Sequence, residues 1–517
     1  MNSNKTNKLK LLIAGAFVAF SQYAAFGQSS TYEKMIVNDD ITSQYNVRGS
    51  LINSDGNAVI YGYQSKNNYD PFFAEVNPST GDTIKWVDVE GTLFPERMRS
   101  MVELPTGGYL GVGYTSRNSS NYPWIIKLKA NGDTVFTKSF HTYSNTFSNC
   151  TNTLQGYFND AIVNSSGDLI VTGQNDNCWQ YSTLIAQLDT ADGTIDWVKG
   201  NRTFNVQSGI TVESYRGNAI ALDGSNYIVV GGGYGGSSDR GTIIKFDSSG
   251  DTVWTAFAPT RDLYDVIKAS DGNYYATGES NPYSISNNAA FVKVASTGSV
   301  SLTKHISPSG TNWSYGYSIA QGPGTNEILI AGVTDWTNEG SDQTLHSITT
   351  SGTINYSKHF GFGDWVERTY LLVDGNDIYL TSNENYGGNS WQYYNLYDNV
   401  SSNPPHQLRP TISKHNSDGD VDLLNLHNSA SISGNALCQN TRLWKYGNYT
   451  NFSYSSSDMS SSDFCCSSWT NEVEVYGSGT VTFEADDKNG NTRTIDISFD
   501  ATPQPTIAGY DSFYNIT

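Results

Sequence analysis

Short apolar runs that end in glycine recur along most of the chain. They are Val59-Ile60-Tyr61-Gly62, Leu110-Gly111-Val112-Gly113, Ile170-Val171-Thr172-Gly173, Ile228-Val229-Val230-Gly231, Tyr275-Ala276-Thr277-Gly278 and Leu329-Ile330-Ala331-Gly332. Tyr379-Leu380-Thr381-Ser382 is a worn seventh copy, and neighbouring copies lie 47 to 60 residues apart. Ahead of each run sits a polar turn, such as Ser54-Asp55-Gly56-Asn57, Ser165-Ser166-Gly167-Asp168 or Ser270-Asp271-Gly272-Asn273. Seven turns of this chemistry between apolar runs predict seven hairpins. A second turn follows each of the first six runs, at Gly81, Gly132, Gly193, Gly250, Gly298 and Gly352. An edge-type strand comes after it, as in Gly250-Asp251-Thr252-Val253-Trp254. Each unit therefore reads strand A, turn, strand B, longer loop, strand C, turn, strand D.

Four antiparallel strands repeated at this period describe the blade of a β-propeller. The seventh unit lacks its last turn and strand D, and the missing piece stands at the other end of the chain. Tyr32-Glu33-Lys34-Met35-Ile36 matches Tyr356-Ser357-Lys358-His359-Phe360 and Leu302-Thr303-Lys304-His305-Ile306. The expected fold is all-β: a seven-bladed propeller over 28–400, closed by an N-terminal strand that removes the open edge. The repeats resemble those of quinoprotein and kelch propellers. Asn77 to Trp86 and Leu188 to Trp197 are similar to the tryptophan-docking turn of quinoproteins, with Leu302 or Tyr356 replacing the tryptophan in later blades.

The flanks divide the rest of the chain. Lys5, Lys8 and Lys10 precede the apolar run from Leu11 to Phe20, and Ala25-Phe26-Gly27 offers small residues for cleavage. Residues 1–27 thus read as a secretory signal peptide, so the protein is expected to be secreted or held at the cell surface. No later stretch reaches a membrane-spanning length. Ser401-Ser402-Asn403-Pro404-Pro405 opens a linker over 401–412, and 413–502 reads as a small β-sandwich. Its hairpin about Lys488-Asn489-Gly490-Asn491, Ala436-Leu437-Cys438 and the closing Pro503-Gln504-Pro505 resemble immunoglobulin-like (PKD-like) spacer modules of exported Bacteroidetes-type proteins. Residues 503–517 are expected to be a tail or the start of a truncated further module.

Charge narrows the partners. The net charge is −20, and it becomes −23 once the three lysines of 1–27 are removed. A chain so acidic is repelled by nucleic acid and anionic lipid, so neither is an expected partner. A glycan or a protein on the propeller loop face is.

Two features of that face are candidate binding groups. The B–C loops are expected to carry Tyr69, Trp124, Trp179, Tyr234, Tyr283, Trp336 and Trp391. These rings either stack on a ligand or plug the gaps between blades. Of twelve arginines, Arg48, Arg99 and Arg216 each lie eight residues before their A–B turn glycine, and Arg368 lies seven before Gly375. Shared spacing predicts a ring of guanidinium forks at one height, suited to carboxylate or sulfate, unless Glu96, Glu213 or Glu367 neutralises each one.

Five cysteines are few for 517 residues, so disulfides are local staples. Cys150 and Cys178 are expected to pair; Cys438 has Cys465 or Cys466 to choose from. Asp418, Asp420 and Asp422 alternate around Gly419 as calcium ligands do, against the plainer reading of an acidic turn. No cofactor other than calcium is called for. Neither HExxH, GxSxG nor a P-loop occurs, and His305 and His359 share one outer-strand position. No catalytic residue is assigned, and a binding or adhesion protein is the expected function. The alternative is a carbohydrate-active propeller enzyme, glycosidase or polysaccharide lyase. Its first suspects are Asp160, Asp262 and Asp265 near the starts of the A strands.

Overall fold

The computed structural model describes residues 32–35, 45–64, 69–89, 94–147, 150–176, 182–201, 204–207, 210–235, 238–280, 288–306, 311–336, 340–360, 365–386 and 407–415, with further strands between 426 and 514. Seven antiparallel sheets with strand order A–B–C–D succeed one another, the fourth with a further strand, Phe204–Gln207, beside its strand A. Blade 1 runs Tyr45–Ile52, Ala58–Gln64, Pro71–Val76 and Thr83–Asp88. The later A strands are Glu96–Glu103, Gly156–Val163, Ile210–Asp223, Thr260–Lys268, Thr311–Gln321 and Trp365–Asp374.

The seventh blade is assembled from both ends of the propeller. Its strand C is Gln407–His415, and Tyr32–Met35 pairs with it as strand D. Met35 lies opposite Thr411, which lies opposite Ser382; His359 lies opposite Thr344, which lies opposite Gly332. The match between Tyr32–Met35 and Tyr356-Ser357-Lys358-His359 therefore holds residue for residue. His305, opposite Ala290, stands at the same rank as His359.

One boundary is corrected. The propeller runs to His415, so the stretch 401–412 contains most of a blade strand and is not a linker, and the second unit cannot begin at 413. Arg409, Pro410 and Lys414 hide the strand by interrupting its apolar pattern. Beyond it, strands from Leu426–Ile432 to Phe513–Tyr514 form one five-stranded and one three-stranded sheet. Gly477–Asp486 and Thr492–Ala501 pair as the expected hairpin. Phe513–Tyr514 pairs with Leu426–Ile432, so the expected tail supplies an edge strand.

Adjacent blades pack apolar faces, for example Val59, Phe73, Met98, Trp124 and Ile126 between blades 1 and 2. A side chain near the start of strand D also docks on the C–D turn of the next blade. Trp197 covers Gly250, where a Cβ would lie 2.4 Å from the indole; Trp254 covers Gly298 and Leu302 covers Gly352 in the same way. These glycines have positive φ, so the turn and the docking both exclude larger residues. Blade 1 departs from the expectation: Val87 faces Gly132, and Trp86 stacks on Phe72 at 5.2 Å. The lysine two residues on reinforces the joint, since Lys199 pairs with Asp251 at 2.8 Å and Lys304 donates to the Gly352 carbonyl at 2.7 Å.

Candidate functional site

Opposite the strand-ending glycine, strand A carries one residue too many in each of the first six blades. The extra residues are Arg48, Arg99, Asn159, Asn218, Tyr264 and Tyr317. A bulge turns its extra side chain away from the pleat. Repetition around the ring gathers these side chains at the central opening. In blade 7 the irregularity falls one step earlier and includes Arg368.

Over blades 1 to 3 the opening is lined by alternating arginine and tyrosine. Arg48 lies over the Tyr63 ring at 5.1 Å and donates to its hydroxyl at 2.6 Å. Arg97 sits 4.0 Å from the Tyr69 ring centre, also faces Tyr63 and Tyr114, and donates to the Tyr114 hydroxyl at 2.7 Å. Arg99 lies between Tyr114 and Tyr157, at 5.0 and 4.8 Å, and donates to Asn159 Oδ1 at 2.5 Å. From blade 7, Arg368 lies exposed over Tyr317 of blade 6, which stacks on Tyr264 at 5.3 Å. The Arg99 guanidinium is held below the usual arginine range, first by enclosure and then by the charges of Arg48 and Arg368.

Tyr69 has φ 66, a left-handed conformation that costs a bulky residue about 1–2 kcal/mol. That strain sets its ring against Arg97, at the mouth of the opening. Among the described residues, Arg48, Arg97, Arg99 and Arg368 have no acidic partner within ion-pair distance. Asp176, whose field reaches Arg99, is hydrogen-bonded to Gln174 at 2.6 Å.

Arg216 does not join this group. Blade 4 turns from A to B through a tight hairpin, Asp223 opposite Asn226, where blade 1 has a longer turn with Ile52 opposite Ala58. Eight residues back from the turn glycine is therefore a different register, which Asn218 shows by occupying the bulge. Arg216 instead forms an ion pair with Asp262, whose side chain is 1% exposed. Arg97 escaped the spacing rule because it precedes the bulge; a second arginine two positions from Arg99 was its only signal.

The aromatic residues divide similarly. Trp124 is no loop residue: it lies in Ser120–Leu128, is 0% exposed, and donates to Thr137 Oγ1 at 2.7 Å. Blade 2 joins B to C by a tight turn at Asn118 and Ser119, both with positive φ, so strand C begins where a loop was expected. Trp124→Ala should cost about 3–5 kcal/mol in a denaturant titration and leave ligand affinity unchanged in the folded fraction. Tyr234 and Trp336 end the strands Asn226–Gly235 and Glu327–Trp336, without described side chains. Trp179, Tyr283 and Trp391 lie outside the described residues.

The three aspartates suspected of catalysis are committed to joints between blades. Asp160 accepts from Ser100 Oγ, Ala161 N and Ile220 N at 2.8, 2.8 and 2.9 Å. Asp265 repeats this with Val266 N, Ser318 Oγ and Ile319 N at 2.8, 3.1 and 2.8 Å. Asp262 accepts from Arg216, Asn218 Nδ2 and Leu263 N. Each clamps its own strand A to that of a neighbouring blade.

Burial pushes Asp160 up to about 6 and Asp265 up to about 7. Between the ordinary carboxyl range and those values the folded chain holds protons that the unfolded chain has released. These two groups thus stabilise the fold fully below the ordinary carboxyl range, keep part of that contribution at pH 5, and lose the rest as pH rises through about 6 and 7. The expected loss is on the order of 2 kcal/mol per group, read as the difference in unfolding free energy between pH 5 and 8. Asp160→Asn with Asp265→Asn should flatten that difference.

Cys150 opens the strand Cys150–Thr153, one arm of a hairpin between blades 2 and 3, whereas Cys178 lies outside the described residues. Asp418, Asp420, Asp422, Cys438 and Cys466 lie outside them too. Among the described residues no group of three or more His, Cys, Asp or Glu is placed to hold a metal.

No protein-family model matches the chain, and no curated protein matches it in sequence. Several solved structures are similar in outline. A protein of unknown function from Dyadobacter fermentans DSM 18053 has 7% identity and a TM-score of 0.40, over 75% of this chain and 98% of that one. An ulvan lyase of a polysaccharide lyase family has 12% identity and a TM-score of 0.45, over 66% and 91%. Sqt1 from Chaetomium thermophilum has 10% identity and a TM-score of 0.39, over 69% and 83%. Likenesses this distant carry nothing about function, and the seven-bladed architecture rests on the strand pairing itself.

Proposed function

We propose that this chain is an exported binding protein whose propeller mouth holds ligands bearing carboxylate or sulfate groups, on a glycan or a protein. One observation carries the reading. Arg48, Arg97, Arg99 and Arg368 converge on the opening without acidic partners among the described residues, whereas Arg216 and Arg261 in blades 4 and 5 are ion-paired. In a chain of net charge −20, such a local excess of cations is a poor arrangement until an anion arrives.

The C-terminal strands act in this reading as an immunoglobulin-like spacer that holds the propeller away from its attachment point. Cys150 and Cys178 are proposed to form a disulfide, which peptide mapping without reduction would detect. An array of acidic and neutral glycans and acidic peptides tests the main claim. Binding confined to acidic probes is expected, and binding to neutral ones alone would end the reading. Release of shortened products from a bound polysaccharide would replace it with the carbohydrate-active enzyme.

A further inference from the structure

We infer that the mouth over blades 1 to 3 is a donor-rich oxyanion site in which the Tyr63, Tyr114 and Tyr157 hydroxyls bind ligand directly, and that its ligand is a run of acidic sugars. The inference rests on the proposed anion-binding role and adds residues and a ligand class to it.

A phenol has one proton to give and can accept from others. Tyr63 accepts from Arg48 at 2.6 Å, Tyr114 from Arg97 at 2.7 Å and Tyr157 from Asn121 at 2.9 Å. Arginine and the asparagine amide nitrogen only donate, so none of these contacts uses a phenol proton. Among the described residues none of the three protons finds an acceptor. The Arg97 Nε–H is likewise buried without a partner.

Burial and the Asp176 charge raise the Tyr157 hydroxyl, which keeps its proton available for donation. The guanidinium faces of Arg97 and Arg99 are occupied by rings, which fixes them and leaves their in-plane N–H edges for a ligand. Donors therefore outnumber acceptors throughout this part of the mouth.

Such a surface discriminates between ligand classes. A peptide end would bring one carboxylate together with backbone N–H donors that find no acceptor here. A uronate or sulfated sugar brings several acceptor oxygens per ring, and its hydroxyls accept as readily as they donate. Three guanidiniums in one ladder, with the Arg368 charge reaching Arg99 from blade 7, also suit charges repeated along a chain better than one isolated anion.

The test uses the full chain and Phe substitutions, which keep every ring that the arginines stack on and delete only the hydroxyls. Probes for calorimetric titration are galacturonic acid, its tetramer, a heparin tetrasaccharide and tetraglutamate. The tetramer or the heparin tetrasaccharide should bind at least about tenfold more tightly than the monosaccharide and tetraglutamate. Which of the two binds better distinguishes carboxylate from sulfate. Tyr63→Phe, Tyr114→Phe and Tyr157→Phe combined should weaken that binding at least about thirtyfold in a chain that still melts in one cooperative transition, at a lower temperature because Arg48, Arg97 and Asn121 lose their acceptors.

Unchanged affinity in the triple variant, with binding lost in Arg48→Ala plus Arg99→Ala, would remove the phenols from the site and leave the anion-binding role standing. Equal affinity for tetraglutamate would overturn the glycan assignment. If the arginine pair has no effect either, the anion-binding role itself fails.

Discussion

Arg48→Ala combined with Arg99→Ala is expected to lower affinity for an acidic ligand about a hundredfold to a thousandfold. The figure follows from losing two charge-assisted contacts at about 1.5–3 kcal/mol each, reduced because both side chains are only half-buried. The same pair should flatten the salt dependence of binding, since exposed charges are screened over about 8–10 Å at physiological ionic strength. Arg216→Ala supplies the contrast. It leaves Asp262 buried beside only Asn218 and Leu263, so it should destabilise the fold by about 1–3 kcal/mol. Its effect on affinity should stay within a few-fold. A spacing rule read from the turn glycines treats Arg99 and Arg216 alike; the bulge register separates them, and these two variants report the separation.

Removing the chain through Ile36 should cost about 3–5 kcal/mol, taking about 1 kcal/mol net for each backbone hydrogen bond lost from Gln407–His415. The consequence extends beyond the fourth strand. Tyr32 and Lys34 hold in blade 7 the register positions that Trp197 and Lys199 hold in blade 3. The open edge of strand C then invites pairing between chains. Size-exclusion chromatography should find oligomers, and a peptide spanning residues 30–38 added in excess should restore both the monomer and the melting temperature. A truncated chain that stays monomeric and equally stable would mean that the ring is held shut elsewhere.

The fold was legible because its signal is periodic. Strand-ending and C–D turn glycines recur where a Cβ would strike a neighbouring strand or a docked side chain, as at Gly62 against the Asn46 carbonyl and Gly250 against Trp197, and A–B turn glycines such as Gly56 recur where φ is positive. The closing strand was legible for the same reason. Strand C of blade 7 was not, because Pro404-Pro405 and a charged strand break the pattern just where the chain crosses to it.

The site was half legible. Counting from the turns located Arg48 and Arg99 but misled at Arg216, since a shorter hairpin shifts the register at a fixed distance from the turn glycine. Tyr63 and Tyr114 each follow a strand-ending glycine, a repeat position that could have been read; Gln174, Gly232 and Glu279 hold it in blades 3 to 5. Trp124 misled in the opposite direction. A ring near the expected loop looks like a ligand platform until the tight turn at Asn118 and Ser119 draws it into the sheet.

The most direct test is the structure of the full chain bound to an acidic tetrasaccharide selected by the titrations. Carboxylate or sulfate oxygens are expected within hydrogen-bonding distance of Arg48, Arg97 and Arg99, with phenol hydroxyls of Tyr63, Tyr114 and Tyr157 turned to the same anions. A ligand seated on the opposite face, among the A–B turns at Asp223 and Asp271, or along the outer D strands, would contradict it.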